Sequence, residues 1–134
     1  MAYGTPSTVR LGEGERAGVV NSYKAAFKKL PETGDEWQDV VKIANGRWPG
    51  AANGEREAWA SKVFKQVYLR DPVRTNPYDD AAVVVVAYGL RPAQRNLDSE
   101  KTAILHFEGI FGHQPSDAED WDTVRAIAYS GATR

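Results

Sequence analysis

The chain has two histidines, whose imidazole side chains can bind metal ions and can donate or accept protons near neutral pH. They are His106 and His113, and the chain has no cysteine. A zinc protease motif needs two histidines on one helical turn around a glutamate, and structural zinc sites are built from cysteine and histidine ligands. The two histidines meet neither requirement. We therefore predict no metal-binding residues.

Clustered carboxylates form a second candidate site, because carboxylate oxygens are the ligands that Ca²⁺ prefers. The cluster consists of Asp117, Glu119, Asp120 and Asp122. It lacks the loop spacing of an EF-hand, and acidic side chains are common in the first turn of a helix, where they favour the positive end of the dipole. We interpret the cluster as a helix start.

Glu57 and Glu100 could form a pair of catalytic carboxylates of the kind that hydrolyses glycosidic bonds. Each follows an asparagine, Asn53 or Asn96, that is suited to cap a helix, which places the glutamate in a first turn. The sequence has no nucleophile elbow, phosphate-binding loop or dinucleotide fingerprint. We predict a protein that is not an enzyme, with no catalytic residues, no cofactor-binding residues and no cofactor.

The two glutamates belong to a larger set of residues that recurs along the chain. Asn53, Glu57, Ala60, Phe64, Tyr68 and Pro72 recur 43 residues later as Asn96, Glu100, Ala103, Phe107, Phe111 and Pro115. Val19, Tyr23, Phe27 and Pro31 lie 41 residues before members of the first set. Self-similarity at this period is typical of helical repeat proteins. The sequence therefore predicts three copies of one structural unit.

The first half of each copy has the apolar spacing of an amphipathic helix. In the second copy, Ala60, Val63, Phe64 and Val67 fall on one helical face. A proline follows in every copy, and it ends the helix because it has no N–H to donate and biases the preceding residue away from helical angles.

The second half of each copy begins with helix-capping signals. Thr33, Asn76 and Asp117 are suitable N-cap residues, and each has an acidic residue three positions later. The segment 83–86 consists of four valines and by itself favours a β-strand. Its alignment with helical patterns in the other two copies predicts instead a helix that is the most buried of the set. Trp37 and Trp121 occupy matching positions in the outer copies, and we expect both to pack in the core or between copies.

These signals predict an all-α fold of six helices, arranged as three tandem helix pairs in one compact bundle. We expect an N-terminal arm over residues 1–12 and a single domain over residues 13–134, with copies at about 13–50, 51–92 and 93–134. The length and the 42% hydrophobic content suffice for one core. We further expect Val9 and Leu11 to dock the arm on its own domain or on a neighbouring subunit.

Composition limits the environment without fixing it. The net charge of −1 gives no overall attraction to nucleic acid or anionic lipid. No apolar run is long enough for a membrane helix, and residues 1–12 lack the pattern of a signal peptide, although Met1 could begin a fragment of a longer secreted protein. The absence of cysteine is compatible with a reducing or an oxidising compartment. We expect a soluble chain without membrane insertion, in a compartment that stays open.

The copies share a motif in which two aromatic residues and a proline follow one another at four-residue intervals, and a Trp, Val and Ile-Ala pattern comes after a short loop. The third copy shows it as Phe107, Phe111, Pro115, Asp120-Trp121, Val124 and Ile127-Ala128-Tyr129. In this form the chain resembles tandem two-helix repeats of bacterial surface proteins without assigned activity, over about residues 16 to 131. The resemblance implies an extracellular or cell-surface location and an interaction role.

The same motif is superficially similar to Myb and SANT repeats, which bind DNA. Those repeats have three helices in a slightly longer unit, and their binding needs a basic face to displace the counterions of phosphate. Here the second helix of each pair opens with acids, and Lys62, Lys65 and Arg70 are the best basic residues available. We expect those three side chains to form a solvated helix face.

The leading hypothesis is therefore a non-enzymatic structural or protein-interaction module that binds a protein partner or itself. Stacking of the end copies, helped by the arm, would give a homo-oligomer, a filament or a surface layer. A nucleic-acid-binding helical repeat of Myb/SANT type is the alternative, and an enzyme of unknown class is the second alternative.

Overall fold

The computed structural model describes residues 18–92 and 94–133, and all regular secondary structure in these two ranges is helical. The helices are α1 (18–27), α2 (Gly34–Ala44), α3 (Gly54–Tyr68), α4 (Pro77–Tyr88), α5 (Leu97–Phe111) and α6 (Ala118–Tyr129). The prediction of an all-α fold with six helices is confirmed. The arm predicted over residues 1–12, with its docking residues Val9 and Leu11, lies outside the described residues.

The capping residues predicted for the second helices begin α2, α4 and α6. Thr33 Oγ1 accepts a 3.2 Å hydrogen bond from the backbone of Glu36, whose carboxylate accepts one in return from the N–H of Thr33. Asn76 Oδ1 accepts from two backbone N–H groups, and Asp117 Oδ1 accepts a 2.8 Å bond from the N–H of Asp120. These bonds satisfy amide groups that the first turn of a helix leaves without partners, which fixes where each helix starts.

The first helix of each copy ends in a left-handed residue at an aligned position. The backbone φ is 64° at Lys28, 62° at Leu69 and 77° at Gly112. This conformation reverses the chain direction after the helix, and it costs roughly 1–2 kcal/mol for a residue that has a Cβ atom. Only the third copy avoids that cost with glycine.

The valine run 83–86 lies in the middle of α4, as predicted from the alignment. All four valines are at most 9% exposed, and the helix is buried from Ala82 to Tyr88. α4 packs along α3 on one side and along α6 on another. Packing against neighbours on several sides, together with the N-cap and the left-handed C-cap at Gly89, overrides the β-propensity of the run.

The segments predicted as three copies are in contact with one another. Between the second and the third, α4 and α6 pack along each other and α3 touches α5. The first copy is attached through α1, where the rings of Phe27 and Tyr88 stack with centroids 5.7 Å apart. Ser22 of α1 also donates a 3.1 Å hydrogen bond to Asp122 of α6. The first and third copies are therefore in direct contact, which a linear array with contacts between neighbours alone would not allow.

The two aligned tryptophans differ in burial. Trp37 packs against the main core cluster, as expected. Trp121 is 40% exposed and does not lie in the core. It borders an open recess between α1 and α6 that is also lined by Asn21 and Arg91. Within residues 18–92 and 94–133, none of the helices combines the length and the apolar character that crossing a bilayer requires.

Candidate functional site

The two histidines lie in different surroundings. Nδ1 of His113 is 2.8 Å from the carbonyl oxygen of Gln114, and its ring meets the edge of Phe107 with centroids 5.5 Å apart. His106 is exposed on α5 and borders the cleft described below. In the part of the chain that the structure describes, no group of three His, Cys, Asp or Glu side chains is arranged to hold a metal ion.

Glu57 and Glu100 each bind the tyrosine that ends the following helix. Tyr88 donates a 2.6 Å hydrogen bond to Glu57 and accepts a 2.9 Å bond from the backbone N–H of Asn53. Tyr129 and Glu100 repeat this arrangement. Burial and the bond to Glu57 raise the pKa of Tyr88 to about 12, so it stays a donor at neutral pH. These bonds hold the start of one helix to the end of the next.

The structure divides the acidic cluster among separate partners. Asp117 caps α6, Asp120 accepts a bond from the N–H of Ser116, and Glu119 forms an ion pair with the buried guanidinium of Arg56. Asp122 points into the protein. The four carboxylates therefore do not converge on one cation position.

Asp122 is the centre of a buried polar cluster that joins α1, α6 and the segment after α4. Its Oδ1 atom is 3.1 Å from Ser22 Oγ, 3.3 Å from Arg91 Nη1 and 2.7 Å from Arg125 Nη1. The side chain is 0% exposed, and burial raises the pKa of its carboxyl group while Arg91 and Arg125 oppose that shift. The cluster fixes how the first copy sits on the third.

Two of the three candidate basic residues, one in α3 and one just after it, pair with neighbouring acids. Nζ of Lys65 lies 3.8 Å from Asp71, and Arg70 binds both carboxylate oxygens of Asp79 at 2.6 and 2.9 Å. Lys62 remains as an exposed side chain. Phosphate binding through this face would have to compete with two acidic partners.

α5 exposes the positions that α3 buries. The aligned pairs are Val63 with His106, Val67 with Ile110, and Tyr68 with Phe111. The three α3 residues are 5–7% exposed, whereas His106 is exposed and Ile110 and Phe111 are half-buried. On α6 the corresponding residues Ile127 and Ala128 are also half-buried, although their α4 counterparts are 3% and 0% exposed. The third copy therefore keeps an open apolar face.

A cleft of about 890 Å³ lies on this open face, bounded by α3, α5 and the carboxyl end of α6. Its apolar lining consists of Val67, Tyr68, Ala103, Ile110, Ile127 and Ala128, and Asp98, Ser99, Thr102 and His106 are among its polar lining residues. Between α1 and α3, the pair that aligns with α3 and α5, a 2.9 Å hydrogen bond from Asn53 Nδ2 to the carbonyl oxygen of Ala26 joins the two helices. Asn96, aligned with Asn53, makes no such bond to another described residue.

The sequence did not point to this face as a site. The landmark residues align between α3 and α5, and only the replacement of Val63 by His106 hinted that the second of these helices has less cover. The Tyr88–Glu57 contact was also missed, although the recurrence of tyrosine 41 residues later at Tyr129 was a usable signal.

Searches against protein-family models, curated proteins and solved structures found no match to this chain. The candidate site therefore rests on the geometry of the described residues.

Proposed function

We propose that this chain is a non-enzymatic interaction module built from three tandem helix pairs, and that it associates with itself through the open face of the third copy. The observation that carries the proposal is the difference in burial between α3 and α5. Apolar positions that the middle copy covers with its own neighbours are left partly open in the last copy, beside the cleft of about 890 Å³. Such surfaces mark interaction sites in soluble proteins.

Exposed leucines in or next to the helices that bound the cleft support the proposal. Leu105 on α5 is 63% exposed and Leu97, at its first turn, is 68% exposed. Leu69, which follows α3, is 70% exposed. Each loses contact with water if a second apolar surface covers it, which contributes roughly 25 cal/mol per Å² buried.

The two other functions are less well supported. A nucleic-acid-binding repeat needs unpaired cations on one face, and Lys65 and Arg70 are engaged by Asp71 and Asp79. An enzyme needs titratable groups brought together at a pocket. His106 and Asp98 both line the cleft, but no hydrogen bond or ion pair joins these two described residues, and Glu57 and Glu100 are occupied by tyrosine contacts at two separate helix ends. A cell-surface location remains part of the proposal only as an implication of the sequence resemblance.

The test is a concentration series monitored by ¹⁵N-NMR, from micromolar to millimolar protein. We expect amide signals of α5 and of the carboxyl end of α6 to shift and broaden together as the concentration rises. The amides of α2 serve as the internal control, because the exposed side of that helix carries Asp35 and Gln38. Spectra that do not change over the whole series would contradict self-association.

A further inference from the structure

One stripe of α5 has the spacing of a helix-pairing seam. Leu97, Lys101, Ile104, Glu108 and Phe111 are separated by four, three, four and three residues, which places them on one side of the helix. Leu97 and Lys101 are exposed, and the other three are half-buried. Leu105 lies beside Ile104 and extends the stripe into solvent. At 15 residues, α5 presents this seam over about 22 Å.

The seam carries one cation and one anion, placed symmetrically about its centre. Lys101 lies three residues before Ile104 and Glu108 lies four residues after it. Neither side chain forms an ion pair with another described residue. An apolar partner would remove both charges from water without pairing them, which costs free energy. A partner that presents the opposite charges in reverse order would pair both of them and lower that cost.

Resting on the proposed function, we propose that two copies of this chain pair through α5 in antiparallel orientation, with Ile104 and Leu105 at the two-fold axis. Reversal of the second helix places Lys101 opposite the partner's Glu108, and Glu108 opposite the partner's Lys101. The same reversal brings Leu97 to the partner's Phe111. The α5 helix of one molecule therefore supplies the charged and apolar partners that the α5 helix of the other molecule needs.

A two-fold pairing also agrees with the surface at the other end of the molecule. A head-to-tail filament needs a second patch, complementary to the seam, at the other end of the molecule. There the outer side of α2 exposes Asp35 and Gln38 to solvent, and Lys42 lies beside Asp39. That polar side offers little to the apolar seam. A contact that uses one patch twice closes as a dimer, whereas a head-to-tail contact continues into a filament.

The experiment is a charge-reversal cycle measured by sedimentation velocity over a range of concentrations. Lys101→Glu and Glu108→Lys each place like charges opposite one another in both halves of the dimer, and we expect each to weaken dimerisation by at least about tenfold. The double variant restores both pairs in reversed polarity, and we expect its dissociation constant to return to within about threefold of the original value. Far-UV circular dichroism verifies that every variant is folded.

Two further variants separate this geometry from the broader proposal. Leu105→Asp places a charge at the two-fold axis and should abolish the dimer. Gln38→Asp, an equal change of charge on the exposed side of α2, is the matched control and should leave dimerisation unchanged. Three outcomes would overturn α5 pairing and leave self-association standing. They are single reversals that do not weaken the dimer, a double variant that does not recover the original affinity, and growth into filaments. A monomer at every concentration would overturn both.

Discussion

The hydroxyl of Tyr88 lies 2.6 Å from Oε2 of Glu57 and joins the end of α4 to the beginning of α3. The same hydroxyl accepts the backbone N–H of Asn53, the residue that caps α3. Tyr129 and Glu100 form the same contact between α6 and α5. One polar interaction therefore closes each of the two helix pairs at the same place.

Removal of these hydroxyls should destabilise the protein unequally. Tyr88 is 1% exposed, so Tyr88→Phe removes a buried hydrogen bond from Glu57, which keeps its ion pair with Arg74, and leaves the N–H of Asn53 without its acceptor; we expect a loss of about 2 kcal/mol. Tyr129 is half-buried, and Tyr129→Phe should cost about 1 kcal/mol because water replaces the bond. Urea unfolding measures both values. A larger loss at Tyr129 would contradict this description of the two sites.

Among the acidic residues of α6, Asp122 should be the one whose replacement lowers the free energy of unfolding most. Asp122→Ala leaves Arg91 and Arg125 facing a buried gap, and we expect a loss of about 3–5 kcal/mol in the free energy of unfolding. The matched control is Asp117→Ala in the same helix, which removes only an N-cap and should cost about 1 kcal/mol. Equal losses in the two variants would show that the buried cluster does not hold α1 against α6.

Acid should weaken the fold through carboxylates that are ionised more readily in the folded state. Lys29 and two backbone N–H groups lower the pKa of Glu36 from 4.5 to about 2, and Arg95 lowers the pKa of Glu100. A depressed folded pKa gives stability that is complete above the unfolded pKa and is lost as pH falls through the folded value. We therefore expect the melting temperature to fall between about pH 4.5 and pH 2.

The variant Glu36→Gln tests the assignment of this acid-sensitive range. It should be less stable at neutral pH and show a shallower decline in acid, because one of the responsible carboxylates is gone. Glu55→Gln, an equal change of charge at an exposed residue of α3, is the control. If both variants decline as steeply as the parent chain, Glu36 is not a source of the acid sensitivity.

Two glycines with the same backbone conformation should respond differently to alanine. Gly89 and Gly112 have φ values of 75° and 77°, so Cβ strain of roughly 1–2 kcal/mol applies to each. A Cβ atom at Gly89 would also lie 2.7 Å from Ser22 Oγ and from Asp122 Oδ1, whereas one at Gly112 meets open space. Thermal unfolding should show Gly89→Ala as clearly the worse variant. Equal shifts would mean that α1 moves away from Gly89 without cost.

Local features of the fold could be predicted because they depend on neighbours in sequence. Asn76 and Gly89 define the ends of α4 by their own hydrogen bonds and backbone freedom, and alignment with the helical patterns of the other two copies assigned the valine run between them to a helix. The contact of Ser22 with Asp122 spans most of the described chain and depends on how α1 crosses α4, which no spacing rule supplies. Copies with aligned landmarks therefore differ in how they are joined.

The open face was unpredictable for a related reason. Ala103 and Phe107 align with Ala60 and Phe64, and the aligned pairs are equally buried. The difference arises at Ile110, which keeps its apolar character while losing the cover that its counterpart Val67 has. A sequence records which residues are apolar, but the degree to which neighbouring helices cover them is a property of the packed molecule.

The most direct test of pairing through α5 is a cross-linking measurement with single-cysteine variants, since the chain has no cysteine of its own. Leu105→Cys places a thiol at the proposed two-fold axis, and Lys62→Cys places one on the exposed side of α3 as the matched control. We expect mild oxidation or a short bis-maleimide to convert Leu105→Cys rapidly into a covalent dimer, while Lys62→Cys stays monomeric. A Leu105→Cys variant that cross-links no faster than Lys62→Cys would contradict the account.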